Sequence, residues 1–259
     1  IPIVFGIFLY LLTKYQTHKK NNDLRAKDGF VIVTLGWIGI AIFGALPFYF
    51  SSTPLSFTNA FFESMSGFTT TGASILGDSS TYQIEELSKG ILFWRSFTHF
   101  IGGMGIIVFS IAILPMLGIG GVQLFRAEVA GPVAEKITPR VKQTAKLLWG
   151  IYVGFVLLQT LILKFEGMSW FDSLCHAFGT MATGGFSTKT ASIAAFNSSL
   201  IEITIIIFMF IAATSFSLHY LFLGKRKFDY FKDEEFKIYC FIISLISIVL
   251  FFDISINSG

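Results

Sequence analysis

Shifting the sequence against itself by 113 positions lays Phe30 on Gln143, Ser56 on Ser169, Gly72 on Gly185, Ser74 on Ser187 and Ser88 on Ile201. The unit repeated in this way is a long apolar stretch, a short apolar stretch, a Thr/Gly loop and a second long stretch. The short members, Ser56 to Gly67 and Ser169 to Met181, extend only about 18 Å if helical, roughly half of a hydrocarbon core. Each must therefore enter a bilayer and turn back, which leaves non-helical backbone at membrane depth. Such backbone is tolerated only where it lines a water-filled path or is buried in protein. Few folds meet that demand twice in one chain.

A bilayer is the setting because the chain is 53% hydrophobic, only 14% charged and contains 31 Phe, too apolar for a soluble domain. Phe30 to Phe50 is uncharged over 21 residues, long enough to span, with Pro47 placed for a kink at its exit. Further spans are expected over Ile91 to Leu117, Leu147 to Leu163 (extended by a turn at each end), Ile203 to Leu223 and Ile238 to Phe252. Ile1 to Leu12 reads as the tail of a preceding membrane helix, and the lack of an initial Met, with an apolar run at the end, suggests a fragment. Cys175 and Cys240 lie in apolar segments without metal-ligand spacing and read as small core residues. The glycines of Ile101-Gly102-Gly103-Met104-Gly105 read as helix-packing positions.

Charge orients the chain. Five Lys or Arg lie in each of three polar stretches, Lys14 to Asp28, Gly120 to Lys146 and Lys225 to Lys237; the other four are Lys89, Arg95, Lys164 and Lys189. The basic stretches belong on one side, the cytoplasmic one, so the short segments enter from outside. The overall charge of +3 is thus a topology signal, and no nucleic-acid partner is implied.

The loops are Thr69-Thr70-Thr71-Gly72-Ala73-Ser74 and Ala182-Thr183-Gly184-Gly185-Phe186-Ser187. One such loop alone reads equally as a polar turn between helices. Two copies in register favour a lining whose working groups are carbonyl oxygens, with glycine permitting the φ > 0 that aims successive carbonyls inward. Potassium filters of the TVGYG type are built this way, and Thr183-Gly184-Gly185-Phe186-Ser187 matches that pattern better than Thr70-Thr71-Gly72-Ala73-Ser74. Substitution is accordingly expected to act more strongly at Gly185 than at Gly72. Ser56 with Asn59 and Ser169 with Asp172 provide helix starts at the membrane surface, so the negative poles of both short helices face the midplane and favour a cation. Candidate ligands are Thr70, Thr71, Gly72, Thr183, Gly184 and Gly185.

Arg95 falls about two turns into its span, and Glu63 is the only charge on the short helix of the same unit. Either the two pair and brace the loop, or Arg95 faces external water and Glu63 lines a vestibule. Asp172 reads as a cap, and Glu202, Lys89 and Lys164 as interfacial residues. His99 and His176 have no acidic residue at zinc-like spacing, and no nucleophile-and-base pair or phosphate loop is present. No positive case for an enzyme exists; a membrane enzyme or receptor would need a cluster near Glu63, His99 and His176.

Gly67-Phe68-Thr69-Thr70-Thr71-Gly72-Ala73, Trp94-Arg95-Ser96, Ile101-Gly102-Gly103-Met104-Gly105-Ile106-Ile107, Gln123-Leu124-Phe125-Arg126-Ala127-Glu128 and Ala182-Thr183-Gly184-Gly185-Phe186-Ser187 together resemble the Trk/Ktr group of potassium-uptake membrane proteins, specifically the TrkH-type membrane subunit. The resemblance covers nearly the whole chain. It implies an all-α membrane protein of repeated span, re-entrant pore half-helix, filter loop and span units of the potassium-channel-like type. Four such units would surround one pore, with an extra helix pair ahead of them. On that plan 1–28 is the end of an extra helix plus a cytoplasmic loop, 29–119 the first pore unit, 120–141 a cytoplasmic loop, and 142–224 the second pore unit. Residues 225–259 are then a cytoplasmic loop and the first helix of a truncated third unit, and two filter loops and a gating loop are missing. The resemblance further implies potassium as the ion carried, the bacterial inner membrane and its lipid as surroundings, a homodimer, and a cytoplasmic nucleotide-binding regulatory subunit of the TrkA/KtrA kind. Gated conduction and sodium- or proton-coupled symport both remain open on this scaffold.

Overall fold

The computed structural model describes residues 26–52, 55–77, 83–113, 141–225 and 229–257. The polar stretch predicted over Gly120 to Lys146 falls largely outside these residues, as do Ile1 to Leu12 and most of the first basic stretch. Among the described residues the chain is helical and has no strand. Its helices are α1 (Ala26–Tyr49), α2 (Phe57–Phe68), α3 (Lys89–Ile113), α4 (Val141–Phe165), α5 (Trp170–Met181), α6 (Ser199–Ala213), α7 (Phe216–Lys225) and α8 (Glu234–Asn257).

Helix α1 is apolar on all sides, and burial sorts its faces. Ala41, Ala45 and Phe48 are buried at helical spacing, whereas Val31, Leu35, Ile38 and Ile42 stay exposed, as suits a helix with lipid on its outer side. Pro47 stands in its last turn, and the helix ends two residues later. Gly44 lets α2 approach, since a Cβ there would collide with the Phe68 ring. By length and composition, Lys146–Phe165 in α4 and Glu234–Asp253 in α8 can cross a membrane.

The two short helices have 12 residues each and start alike. Ser56 Oγ accepts from the Asn59 amide at 3.3 Å, and Ser169 Oγ accepts from the Asp172 amide at 3.0 Å. These bonds satisfy otherwise orphaned N-terminal donors. Asp172 completes its cap by accepting from Ser169 Oγ at 2.6 Å.

Helix α3 joins the two repeats, packing against α2 on one side and against α4 and α5 on the other. Its glycines make both approaches possible. A Cβ at Gly102 would strike the Phe68 carbonyl at the end of α2, and one at Gly103 would stand 2.9 Å from Ala182 at the end of α5. The paired glycines therefore bring one helix onto the ends of both half-helices, the packing role expected of small residues in lipid. Two apolar cores follow: Ala45, Phe48, Ala60, Leu76 and Leu92 in the first repeat, and Tyr152, Val156, Phe178, Met181 and Phe208 in the second. Phe97 and Phe100 of α3 pack on the second core.

The expected single span from Ile203 to Leu223 is two helices. Thr214 is extended (φ −79°, ψ 142°) and breaks the run between α6 and α7. Local hydrogen bonds bridge the break. Thr214 Oγ1 donates to the Phe210 carbonyl at 2.9 Å, and the Thr214 amide donates to the Ile211 carbonyl at 3.1 Å. His219 Nε2 also donates to the Ile211 carbonyl, at 2.9 Å, and its Nδ1 meets the Tyr230 hydroxyl at 2.9 Å. Apolarity alone hides such a break because Thr and Ser carry no charge and bond locally to the backbone.

Candidate functional site

The two Thr/Gly loops leave their half-helices through the same hydrogen bonds. The Thr70 amide donates to Gly67 O at 3.1 Å and the Thr71 amide to Ser66 O at 3.0 Å; Thr183 donates to Thr180 O at 3.0 Å and Gly184 to Gly179 O at 2.8 Å. This is the left-handed helix stop, whose turning residue is usually glycine. Here it is a threonine in both copies, each with φ 54°. A β-branched residue in that region is an outlier that the surroundings must hold at a cost of about 1–3 kcal/mol. Sequence reasoning missed it, because threonine signals extended backbone. Gly72 (φ 73°) and Gly185 (φ 89°) take the positive angles that need no Cβ.

The turn uses the loop amides and leaves the loop carbonyls. Among the described residues none donates a hydrogen bond to the carbonyl oxygens of Thr70, Thr71, Gly72, Thr183, Gly184 or Gly185. The carbonyls of Ala73 and Ser187 are engaged behind the loops. Ser66 Oγ donates to Ala73 O at 2.6 Å, and Arg95 Nη1 donates to Ser187 O at 2.7 Å. In the second copy Gly179 replaces Ser66, and a Cβ there would stand 2.9 Å from Phe186 O. Among the described residues the carbonyls without a donor are thus those of Thr69 to Gly72 in the first loop and Thr183 to Phe186 in the second, and the six candidate ligands lie among them.

The loops meet one another. A Cβ at Gly72 would run into the Gly184 carbonyl oxygen, whereas one at Gly185 has nothing within 4 Å. Both glycines share the penalty of positive φ, but only Gly72 also carries an inter-loop contact. The loop pattern favours Gly185 as the sensitive position, whereas the packing places the added obstruction at Gly72.

Behind the loops lies a buried polar network. Arg95 Nε donates to Glu63 Oε1 at 2.6 Å, with the two side chains 3% and 0% exposed. Arg95 Nη2 donates to Ser74 Oγ at 2.9 Å; Ser74 Oγ donates to Glu63 Oε1 at 2.8 Å, and the Ile75 amide to Glu63 Oε2 at 3.2 Å. An arginine facing external water and a vestibular glutamate are not what the structure contains. In the second copy the aligned residues are His176 and Phe208. His176 Nδ1 donates to the Asp172 carbonyl at 2.8 Å, so in the neutral ring its Nε2 accepts from Ser187 Oγ at 2.9 Å. One repeat fastens its loop with an ion pair and the other with a neutral histidine, both through the serine that ends the loop.

The chemistry available is that of hard oxygen donors. Among the described residues no group of three His, Cys, Asp or Glu could hold a metal, while six unpaired carbonyls and the negative poles of α2 and α5 gather at the loops. Such a set suits a cation stripped of some of its water.

The likeness to known proteins runs the length of the chain. Residues 2–254 match the family model described as TrkH, cation transport protein. The Trk system potassium uptake protein TrkH of Vibrio parahaemolyticus is 42% identical over 97% of this chain and 53% of its own length. The protein of the same name from Escherichia coli is 43% identical, covering 92% of this chain and 48% of its own length. The crystal structure of the potassium transporter TrkH from Vibrio parahaemolyticus superposes with a TM-score of 0.76 at 38% identity, over 98% of this chain and 52% of that one. The chain thus spans about half the length of the relatives it matches, and its all-helical architecture is that of a membrane protein with channel-like repeats. With the family model and these relatives in agreement, the chain belongs to the TrkH family of cation transport proteins.

Proposed function

We propose that this chain forms one half of a potassium-uptake pathway through the bacterial inner membrane, with the two Thr/Gly loops as two segments of a carbonyl selectivity filter. The observation that carries the proposal is the row of unpaired carbonyls at Thr70, Thr71, Gly72, Thr183, Gly184 and Gly185, in loops whose backbone strain is the same in both copies. Thr71, Thr183 and Gly185 are exposed and Gly184 is buried, and a row of carbonyls left open beside two helix C-termini fits a dehydrated monovalent cation as the missing partner. Potassium is the ion named for the Trk relatives. The basic stretches face the cytoplasm, where a nucleotide-binding subunit of the TrkA kind would regulate a homodimer.

The test uses the full-length protein in proteoliposomes, following rubidium uptake in competition with potassium or sodium. Gly72→Ala raises the cost of φ > 0 by about 1–2 kcal/mol and presses on the Gly184 carbonyl, and about 1.4 kcal/mol is tenfold in relative binding. Preference for potassium over sodium is expected to fall roughly tenfold in Gly72→Ala and less in Gly185→Ala. Unchanged preference in both, at normal yield, rules out the loops as the filter. Repeating the uptake with and without a sodium or proton gradient distinguishes gated conduction from coupled symport.

A further inference from the structure

We propose that His99, together with Arg95, positions the second filter loop from the first repeat, so that the ion preference of the second loop is set by a helix of the unit before it. The proposal rests on the filter reading above. Residues 95 and 99 lie one turn apart on one face of α3, and that face carries a clamp on the second loop. The Arg95 guanidinium sits 3.8 Å from the Phe186 ring centroid. The His99 ring stacks on the same phenyl ring, with centroids 4.0 Å apart and planes inclined by 19°. Arg95 also fixes Ser187 O, and the His99 ring lies directly behind Gly184, where any Cβ would collide with it. Gly184, Phe186 and Ser187 are thereby held from behind while Gly184 O meets the first loop in front.

His99 does this by shape. It is fully buried, and among the described residues neither ring nitrogen has a hydrogen-bond partner, so a flat ring of this size is what the site uses. The residues aligned with Arg95 and His99 in the second repeat are Phe208 and Ala212, which carry neither the guanidinium nor the imidazole of the clamp. The device therefore runs one way, from the first repeat to the second.

The experiment compares His99→Ala, His99→Phe, Gly184→Ala and the pair His99→Ala with Gly184→Ala in the full-length protein, reading the potassium-to-sodium preference of rubidium uptake beside total uptake and yield. His99→Ala is expected to lower the preference threefold to tenfold with uptake retained, and His99→Phe, which keeps the ring and drops both nitrogens, to keep the preference within twofold of wild type. Gly184 is outside the positive-φ set and the atoms nearest a Cβ there are all of the His99 ring, so the defect of Gly184→Ala should be relieved when His99 is also alanine. Gly72→Ala serves as the reference for the filter reading. If it changes the preference while His99→Ala does not, or if His99→Phe is as damaged as His99→Ala, the clamp is refuted and the filter stands. If Gly72→Ala and Gly185→Ala both leave the preference untouched at normal yield, the filter reading fails with it. Should His99→Ala not fold, the His99→Phe result decides, since loss of preference in a folded phenylalanine variant overturns a role by shape.

Discussion

Removing Arg95 exposes the buried network to a quantitative test. Among the described residues, Arg95→Gln leaves the Glu63 carboxylate, 0% exposed, with the Ser74 hydroxyl and the Ile75 amide as its remaining donors. Breaking one partner of a buried pair costs about 3–5 kcal/mol, because the surviving charge stays desolvated and uncompensated. Glu63→Gln strands the guanidinium instead, but leaves it the Ser187 carbonyl and Ser74 Oγ, so its cost should sit at the lower end of that range. The double substitution removes both charges, and the coupling recovered should be about 1–3 kcal/mol. The relatives are about twice as long as this chain, so in the full-length protein each kcal/mol is worth less in Tm than the roughly 2–4 °C of a domain of about 150–250 residues, and the Arg95→Gln shift is on the order of 5 °C. The assay is thermal unfolding of the purified full-length protein in detergent, for wild type, both single variants and the double. Arg95→Lys adds a control: it keeps the charge and loses the planar fork that reaches Glu63, Ser74 and Ser187 together, so it should rescue less than half of the Arg95→Gln loss. Single-variant losses that add to within about 0.5 kcal/mol in the double would refute the coupling of Glu63 to Arg95.

Three further outcomes follow from other parts of the molecule. Thr70→Gly and Thr183→Gly relieve a left-handed threonine, so each should hold or raise thermal stability by up to about 1 kcal/mol net of the added chain entropy; a loss above that in either variant would show that the angle is not strained. The Thr190 hydroxyl and amide donate to Glu85 at 2.6 and 2.9 Å and, with the hydroxyl first, hold its carboxyl below the usual range. That contribution is complete above the ordinary glutamate value, about 4.3, and disappears as pH falls through the lowered folded value; unfolding scans from about pH 6 to 3 should show an acid slope that Thr190→Val reduces, and an equal slope in both proteins would refute it. Single cysteines at Asn22, Val133 or Asp229 should resist a membrane-impermeant thiol reagent in whole cells; ready labelling of two would invert the topology.

What the sequence discloses here is what local chemistry decides, and what it conceals depends on how the repeats pack. The starts of both half-helices are legible at Ser56 and Ser169 because a hydroxyl three residues before an amide caps a helix wherever it folds. The positive angles at Gly72 and Gly185 are legible for a similar reason, as residue types that turn a chain sharply. The break at Thr214 is invisible to an apolarity count, and the left-handed Thr70 and Thr183 contradict their own propensity. The ranking of Gly72 over Gly185 needs the Gly184 carbonyl, which belongs to the other repeat. Arg95 divides along the same line. Its bond to Glu63 joins two charges within one unit, while its bond to Ser187 crosses 92 positions into the next. The overlay of the repeats carries more than its matches suggest, because its mismatches are correlated. Where the first copy has Glu63 and Arg95, the second has His176 and Phe208, so both charges vanish together. A carboxylate kept at position 176 without an arginine at 208 would be buried with no counter-charge, at a cost of several kcal/mol. In the first copy positions 63 and 95 hold a buried ion pair, and in the second the aligned positions 176 and 208 hold none. The second is an apolar neighbourhood, with His176 turned to Ser187 and Phe208 in the core of the second repeat. The two loops are alike in backbone and unlike in support, and the first repeat provides part of what the second lacks.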